Sequence, residues 1–476
     1  MATDKIVFGT DGWRAVIADD YTFANVRVCA QAFADELRRD RPERGCVIAY
    51  DNRFQSESFA AATGQVMAAN GIKAIVTDRA TPTPVLSFTI LDRKTAGGVI
   101  ITASHNPAAY NGFKVRADYG GAADPEMLTR LEANIARILG GGAARTLDQA
   151  AAQQRGLFEL YDAGPAYERH ARRLVDTGAI GSTGLKIVHD AMYGAGAGWV
   201  ERFVGGGATR IIGVHQERNP AFPGINPEPI TKNLAEMLAA TRREGADLGI
   251  ATDGDADRLG LCDEKGQFID QLRAMSLMAL YLLEVRGQRG PIVKTVTTSL
   301  MLDRLGELYD VPVHEVGVGF KYVAPKMIET DAIIGGEESG GYAFRGHVPE
   351  RDGILAGLFV ADMMVKTGKR PSELIELLFS KVGPHFYDRV DAHFPADQRA
   401  QILQRLETAS VDSVVGEKVI RTQRTDDGGL KWVTDKGSWL MIRFSGTEPI
   451  MRIYTETNDQ ARVKQILDFG QELAGI

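Results

Sequence analysis

Two loops carry most of the chemistry that residue types and spacing can announce. The first, Thr102-Ala103-Ser104-His105-Asn106-Pro107, follows the apolar run Gly98-Val99-Ile100-Ile101. It puts a serine hydroxyl at the end of a predicted buried strand. The second, Asp253-Gly254-Asp255-Ala256-Asp257-Arg258, follows Asp247-Leu248-Gly249-Ile250-Ala251. On an extended loop, carboxylates at alternating positions point to one side. Crowded carboxylates repel one another unless a cation neutralises them. Mg²⁺ takes oxygen ligands and commonly leaves a place for a phosphate. A phosphate on Ser104 would fill that place. The two loops together predict magnesium-assisted phosphoryl transfer through a phosphoserine.

Each loop also has a plainer reading. The hexapeptide alone reads as a Ser/Asn/Pro turn. The aspartate loop alone could be a solvated acidic turn, but the apolar strand before it and Arg258 after it weigh against that. Ser104 needs activation to act as a nucleophile, and His105 is adjacent. The setting is not the G-x-S-x-G elbow, so Ser-His-Asp hydrolase chemistry fits poorly.

Further candidates lie in weaker loops. Glu337 and Ser339, within Gly335-Gly336-Glu337-Glu338-Ser339-Gly340-Gly341, suit hydrogen bonding to sugar hydroxyls. Arg443, Ser445, Gly446 and Thr447 combine a guanidinium, two hydroxyls and a glycine. That set suits a dianionic phosphate. Arg14 and Lys114 are cations on the turn-like segments Asp11-Gly12-Trp13-Arg14 and Asn111-Gly112-Phe113-Lys114. Taken singly, each of these two reads as a surface residue.

The elements that must position these loops follow a βαβ rhythm. Cys46 to Tyr50 and Ala74 to Val76 read as strands around a helix from Ser56 to Asn70, with Ser56 as its N-cap and Gly71 as its stop. The rhythm recurs through Leu185 to His189, Ile211 to Val214, a helix from Leu234 to Glu244, and Leu248 to Ala251. It recurs again through Pro291 to Val296, a helix from Met301 to Tyr309, Val311 to His314, and Asp331 to Ile334. This predicts three related α/β units, each ending a strand in a loop of small and polar residues. In open α/β sheets, ligands sit beyond the carboxyl ends of strands, so the three loops could face one cleft. After Gly383-Pro384 the pattern changes to strands and two helices, an α+β tail. The expected domains are residues 1–163, 164–270, 271–384 and 385–476. Gly383-Pro384 is a candidate hinge for cleft closure.

Composition narrows the class. A chain of 476 residues exceeds one ordinary core and fits three or four domains. Net charge is −7, which is not the basic footprint of a nucleic-acid binder. Cys29, Cys46 and Cys262 are far apart and lack metal-ligand spacing, which predicts a reducing compartment. No apolar run approaches a membrane span, and the opening residues carry no signal-peptide h-region. The expectation is a cytoplasmic protein, monomer or homodimer, with small-molecule partners and neither nucleic acid nor membrane.

Taken in order, five segments resemble the α-D-phosphohexomutase superfamily, which includes phosphoglucomutases and phosphomannomutases. They are Phe8 to Arg14, Thr102 to Pro107 with Asn111 to Lys114, Asp253 to Arg258, Gly336 to Gly340, and Arg443 to Pro449. The resemblance implies three α/β domains with mixed sheets and a fourth, TATA-binding-protein-like domain around a central cleft. It implies that Ser104 is the phosphoserine. Asp253, Asp255 and Asp257 would bind Mg²⁺ together with its phosphate, next to Arg258. Glu337 and Ser339 would contact the sugar. Arg443, Ser445, Gly446 and Thr447 would grip the non-reacting phosphate. Arg14, His105 and Lys114 would assist at the transferring phosphoryl group, with Lys114 the leading candidate for proton transfer. The implied activity interconverts hexose 1-phosphate and hexose 6-phosphate, with glucose 1,6-bisphosphate as activator and intermediate.

One position departs from the pattern. Many members have His after the Glu-x-Ser-Gly loop, and Gly341 stands there in this chain. His347 is the candidate substitute. The departure weighs toward glucose, with mannose second, and against glucosamine phosphate. Two rival readings stand beside this one. An apolar strand followed by Asp253-Gly254-Asp255 also resembles the nucleophile loop of haloacid-dehalogenase-type, Mg-dependent phosphatases, but it lies mid-chain and would leave Ser104 idle. A non-catalytic sugar-phosphate-binding protein would have no use for an intact Ser104 and three aspartates.

Overall fold

The computed structural model describes residues 6–9, 11–40, 42–425, 428–444 and 450–476. Three of its four sheets share one plan. In the first, Cys46–Tyr50 pairs in parallel with Ala74–Thr77 and Gly97–Ile101. Gly97–Ile101 then pairs antiparallel with Tyr110–Ala117. In the second, Lys186–Asp190 pairs in parallel with Arg210–Val214 and Leu248–Thr252, and Leu248–Thr252 pairs antiparallel with Leu259–Cys262. In the third, Ile292–Thr295 does the same with Val313–Val316 and Ile334–Gly336, and the antiparallel partner is Tyr342–Phe344. The serine, aspartate and sugar loops therefore occupy equivalent places, each between the last parallel strand and the strand that turns back. The central strands are apolar and buried, as sheets covered on both faces require.

The fourth sheet is antiparallel. Its order is Phe386–His393, Ile450–Thr457, Trp439–Phe444, Leu430–Thr434, Glu417–Arg424 and Ser413–Val414. Helices Arg399–Thr408 and Gln460–Ala474 bury Ile402, Leu406, Ile466 and Leu467 against Trp432, Leu440 and Ile442. The first and fourth units have their own cores. The second and third share one, into which the first inserts Val85 and Phe88. No helix among the described residues is long and apolar enough to cross a membrane.

Local expectations needed correction in three places. The helix Ser56–Ala69 is preceded by Gln55, and Ser56 is its first residue rather than its cap. The Ser56 hydroxyl donates to Asp51 Oδ1 at 2.9 Å instead. Arg14 and Lys114 do not lie on turns but on the strands Trp13–Val16 and Tyr110–Ala117, where Arg14 is paired with Gly112. Asn-Gly here serves packing: a Cβ on Gly112 would lie 2.3 Å from the Thr102 carbonyl oxygen, and the Asn111 amide donates to Ser56 Oγ at 2.9 Å. The third correction, to the aspartate loop, belongs to the site.

Candidate active site

The serine loop is held in a shape it would not choose alone. Ser104 has φ +53°, a left-handed conformation that costs a non-glycine residue roughly 1–3 kcal/mol. Arg53 offsets this. Its Nη2 donates to the carbonyls of Ser104 and Asn106 at 2.7 and 2.6 Å, and its Nη1 to those of Pro107 and Tyr110 at 2.8 and 2.9 Å. Arg53 is buried and paired with Asp51 at 3.2 Å. Asp51 Oδ2 also accepts from the Thr102 hydroxyl at 2.6 Å, and that hydroxyl oxygen accepts from Ser104 N at 2.8 Å. The outcome is a buried Ser104 whose Oγ donates to Asp253 Oδ2 at 2.7 Å. The two loops that the sequence singles out meet at this contact.

Asp253, Asp255 and Asp257 are buried, and each offers an oxygen within 4.8 Å of the others. They do not converge by the alternation of an extended loop. The segment is a tight turn: Ala256 N donates to the Asp253 carbonyl at 3.0 Å, with Ala256 at φ +58°. Asp253 Oδ1 closes it by accepting from Asp257 N and Arg258 N at 2.9 and 3.1 Å. Asp255 Oδ2 accepts from Thr83 Oγ1 at 2.7 Å and Lys114 Nζ at 3.0 Å.

Electrostatics follow from this crowding. Burial, then the charges of Asp255 and Asp257, push the Asp253 carboxyl well above its usual range. Burial also works against the charge on Asp255, but Lys114 and Thr83 outweigh it and hold that carboxyl low. Burial raises Asp257 against the pull of Arg351. Among the described residues, the buried Asp255 Oδ1 and Asp257 Oδ1 have no hydrogen-bond donor. Buried charged oxygens without donors are costly. A hard divalent cation with oxygen preference answers that cost, so this donor set fits Mg²⁺.

Cations ring the serine. Arg14 Nη1 donates to Asn106 Oδ1 at 2.8 Å. Lys114 is buried, with Nζ 3.0 Å from both Asp11 Oδ2 and Asp255 Oδ2. His105 Nδ1 lies 3.3 Å from Ser104 Oγ. Burial, and then Arg258, Arg14 and Lys114, hold this imidazole well below its ordinary pKa. The ring is neutral at neutral pH.

Glu337 is buried among the same charges. Burial outweighs Arg351 and Arg258 and pushes its carboxyl up to about 7. The reason for Gly341 is visible here. A Cβ at that position would lie 2.3 Å from Cδ of Arg351. Arg351 takes that space and reaches Asp257 Oδ2 at 2.9 Å, Asp11 Oδ2 at 3.2 Å and Glu337 Oε2 at 3.7 Å. A guanidinium thus fills the space beside Gly341. His347 does not substitute. Its two ring nitrogens are engaged by Asp352 Oδ2 at 2.8 Å and His170 Nε2 at 3.0 Å.

The loop of Glu337 and Ser339 is knit to the aspartate loop. Leu259 N donates to the Gly340 carbonyl at 2.9 Å, and Gly353 N to that of Ala256 at 3.1 Å. Arg258 places its guanidinium 3.8 Å from Glu228 Oε1. Ser339 is half-buried in the turn that follows Ile334–Gly336. Arg443 lies on Trp439–Phe444, opposite Arg452. Ser445, Gly446 and Thr447 lie outside the described residues.

Comparison with known proteins now decides the family. Four models named phosphoglucomutase/phosphomannomutase match in order: alpha/beta/alpha domain I over residues 5–139, domain II over 165–266, domain III over 270–382, and the C-terminal domain over 397–470. The chain belongs to the α-D-phosphohexomutase superfamily. A phosphoglucomutase/phosphomannomutase of Thermococcus kodakarensis is 30% identical, with 98% of each chain covered. A probable phosphoglucosamine mutase of Methanothermobacter thermautotrophicus is 31% identical over 97% of this chain and 96% of its own. The crystal structure of a putative phosphomannomutase from Thermus thermophilus superimposes with a TM-score of 0.86 at 33% identity, covering 99% of both chains. These phosphohexomutase relatives carry the names of all three sugars.

Three residues of the site escape a reading by loops. Asp11 pairs with Lys114, Arg116 and Arg351 at 3.0, 2.9 and 3.2 Å. Those cations overcome its burial and keep its carboxyl well below the usual range. Arg53 and Arg351 are the others. A signal for both exists: each is a charge in a polar triplet beside a buried element, Asp51-Asn52-Arg53 after one strand and Glu350-Arg351-Asp352 before the apolar helix Gly353–Thr367. Charges so placed must be paired.

Proposed function

We propose that this phosphohexomutase interconverts hexose 1-phosphates and hexose 6-phosphates, with glucose the preferred sugar and mannose second. The observation that carries the reading is the 2.7 Å contact of Ser104 Oγ with Asp253 Oδ2, between a metal-competent carboxylate cluster and a ring of cations. Phosphorylated Ser104 gives its phosphoryl group to the free hydroxyl of a hexose monophosphate. The P–O bond to Ser104 breaks as the P–O bond to the sugar forms, yielding a hexose 1,6-bisphosphate. The bisphosphate turns over, and its opposite phosphate returns to Ser104. Mg²⁺ held by Asp253, Asp255, Asp257 and the Ser104 phosphate would stabilise charge on the transferring oxygens.

The chain's own residues do the rest. Arg53 fixes the loop so that Oγ is aimed, which is most of what phosphoryl transfer asks of a protein. Arg14 and the neutral His105 flank the transferring group, and Lys114 is the proton carrier at the sugar hydroxyl. Glu337 and Ser339 receive the sugar hydroxyls. Arg443, Ser445, Gly446 and Thr447 take the remote phosphate. Relatives named for glucosamine phosphate keep that sugar as an alternative after mannose.

A mutase assay with Mg²⁺ and a trace of glucose 1,6-bisphosphate tests this. Glucose 1-phosphate, mannose 1-phosphate and glucosamine 1-phosphate compete as substrates, and free phosphate is measured alongside. Conversion to a 6-phosphate with little free phosphate is expected, fastest for glucose. Free phosphate without isomerisation would make the chain a phosphatase and Ser104 a bystander.

A further inference from the structure

Glu338 stands between the two residues proposed for the sugar, yet its side chain leaves the third unit for the fourth. Its Oε1 accepts from the Tyr387 hydroxyl at 2.6 Å and from Arg389 Nη1 at 2.9 Å. Both donors lie on Phe386–His393, the strand that opens the fourth unit just after Gly383-Pro384. That strand pairs along its whole length with Ile450–Thr457, which begins directly after residues 445–449. On the other side, Arg389 Nη2 lies 3.9 Å from Glu228 Oε1, the oxygen that Arg258 approaches to 3.8 Å. Four side chains of alternating sign therefore run from the metal loop through the fourth unit to the sugar loop.

The arrangement is more than a surface pair. Side-chain exposure is 20% for Arg389 and 11% for Glu338. A shielded carboxylate with two short donors is worth more than an exposed ion pair. Two backbone hydrogen bonds close the loop that carries it: Glu337 N donates to the Gly341 carbonyl at 3.0 Å, and Gly340 N to that of Glu337 at 3.1 Å.

We propose that Glu338 is a positioning residue that couples occupation of the sugar loop to the seating of the fourth unit. The inference rests on the phosphohexomutase reading above. A sugar held at Glu337 and Ser339 fixes the backbone on both sides of Glu338. Glu338 passes that position to Tyr387 and Arg389, and through the paired strands to Ile450–Thr457 of the fourth unit.

Steady-state kinetics of Glu338→Ala, Arg389→Met, their double variant and Tyr387→Phe test it. KM for glucose 1-phosphate is expected to rise about tenfold in each of the first two, with kcat within about twofold of the parent. The double variant should add little to either, because one link has been cut twice. Tyr387→Phe, which keeps the ring and removes one donor, should raise KM about threefold. An unchanged KM in Glu338→Ala overturns the proposal. So do KM effects that add fully in the double variant, or a fall in kcat that matches the rise in KM. If the parent enzyme itself shows no mutase turnover, the phosphohexomutase reading fails instead, and the two failures are distinct.

Discussion

At the joint between the first and second units, Ser104 Oγ meets Asp253, Thr83 N donates to the Asp255 carbonyl at 2.9 Å, and the Asn52 amide donates to the Tyr193 and Gly194 carbonyls at 3.0 and 2.9 Å. All of these residues are buried. At the joint between the third and fourth units the links are side chains: Glu338 to Tyr387 and Arg389, Glu456 to Ser299 and Leu300 N, Lys431 to the Val296 carbonyl, and Gln423 to Glu315. An apolar patch around Leu272, Val296, Trp439 and Met441 lies beneath them. Ser299, Glu456 and Lys431 are as buried as the first joint, whereas Glu338, Tyr387, Arg389, Gln423 and Glu315 keep some exposure. This outer part of the second joint matches the looser of the two tasks proposed for the site. In-line transfer tolerates little error, since a misplacement of about 1 Å can cost on the order of 100-fold in rate. Gripping and releasing a remote phosphate asks for contacts that can part and re-form.

The sharpest break of the first joint is Ser104→Ala. Mutase turnover should fall on the order of 10⁶-fold, the loss expected when a nucleophile is removed from a working constellation. Acid-stable phosphate on the chain should vanish with it. Turnover that persists would move the chemistry elsewhere and leave the burial of this joint without a purpose.

Next in size is the metal. Asp257→Asn removes one charge from the three-carboxylate set, at a residue whose buried Oδ1 accepts no hydrogen bond among the described residues. Calorimetric titration of the chelator-treated protein should show Mg²⁺ affinity weaker by about 10- to 100-fold or more. An equal affinity in both proteins would mean that the cation sits on other oxygens.

Both loops were legible because each is a sharp change of character: a run of buried apolar residues gives way to hydroxyls or carboxylates. The repeat was legible from the same rhythm. What held the loops was not. Arg351 and Asp11 are separated by 340 positions, and nothing local announces such a pair. Lys114 looked like part of a turn because Asn-Gly commonly marks one, while here the glycine lets the strand approach Thr102. Strand starts also drifted. The third unit's second strand runs Val313–Val316 and its last parallel strand Ile334–Gly336, because Asp310 and Asp331 end the preceding helices in a left-handed conformation before each strand begins. The remote-phosphate residues Ser445, Gly446 and Thr447 rest on the family resemblance.

A smaller effect probes the sugar loop, which sits between the two joints. The Glu337 carboxyl is raised to about 7 by burial. A raised carboxyl is neutral below its pKa and charged above it. Lowering the pH from about 8 to about 6 should therefore protonate Glu337, weaken its acceptance of sugar hydroxyls and raise KM up to about tenfold. The substrate's own phosphate titrates in the same range, so the measurement is a difference. The pH slope of KM in Glu337→Gln should be shallower than in the parent, and identical slopes would show that only the substrate is titrating.

The smallest effects compare the joints directly by deleting one amide from each. Asn52 is buried at the wall of a cavity, and Asn52→Ala leaves the Tyr193 and Gly194 carbonyls without that donor. The expected loss is about 1–3 kcal/mol in chemical denaturation. Gln423 is half-buried and donates to Glu315 Oε1 at 3.0 Å, but Glu315 keeps Lys431 at 3.4 Å and Lys294 at 3.8 Å. Gln423→Ala should then cost about 0.5 kcal/mol, because the carboxylate retains its cations and water replaces the amide. Only the Asn52 variant should also lower kcat, since it loosens the wall behind the Ser104 loop. Equal losses of stability, with kcat untouched in both, would show that the joints differ in residue type and not in rigidity.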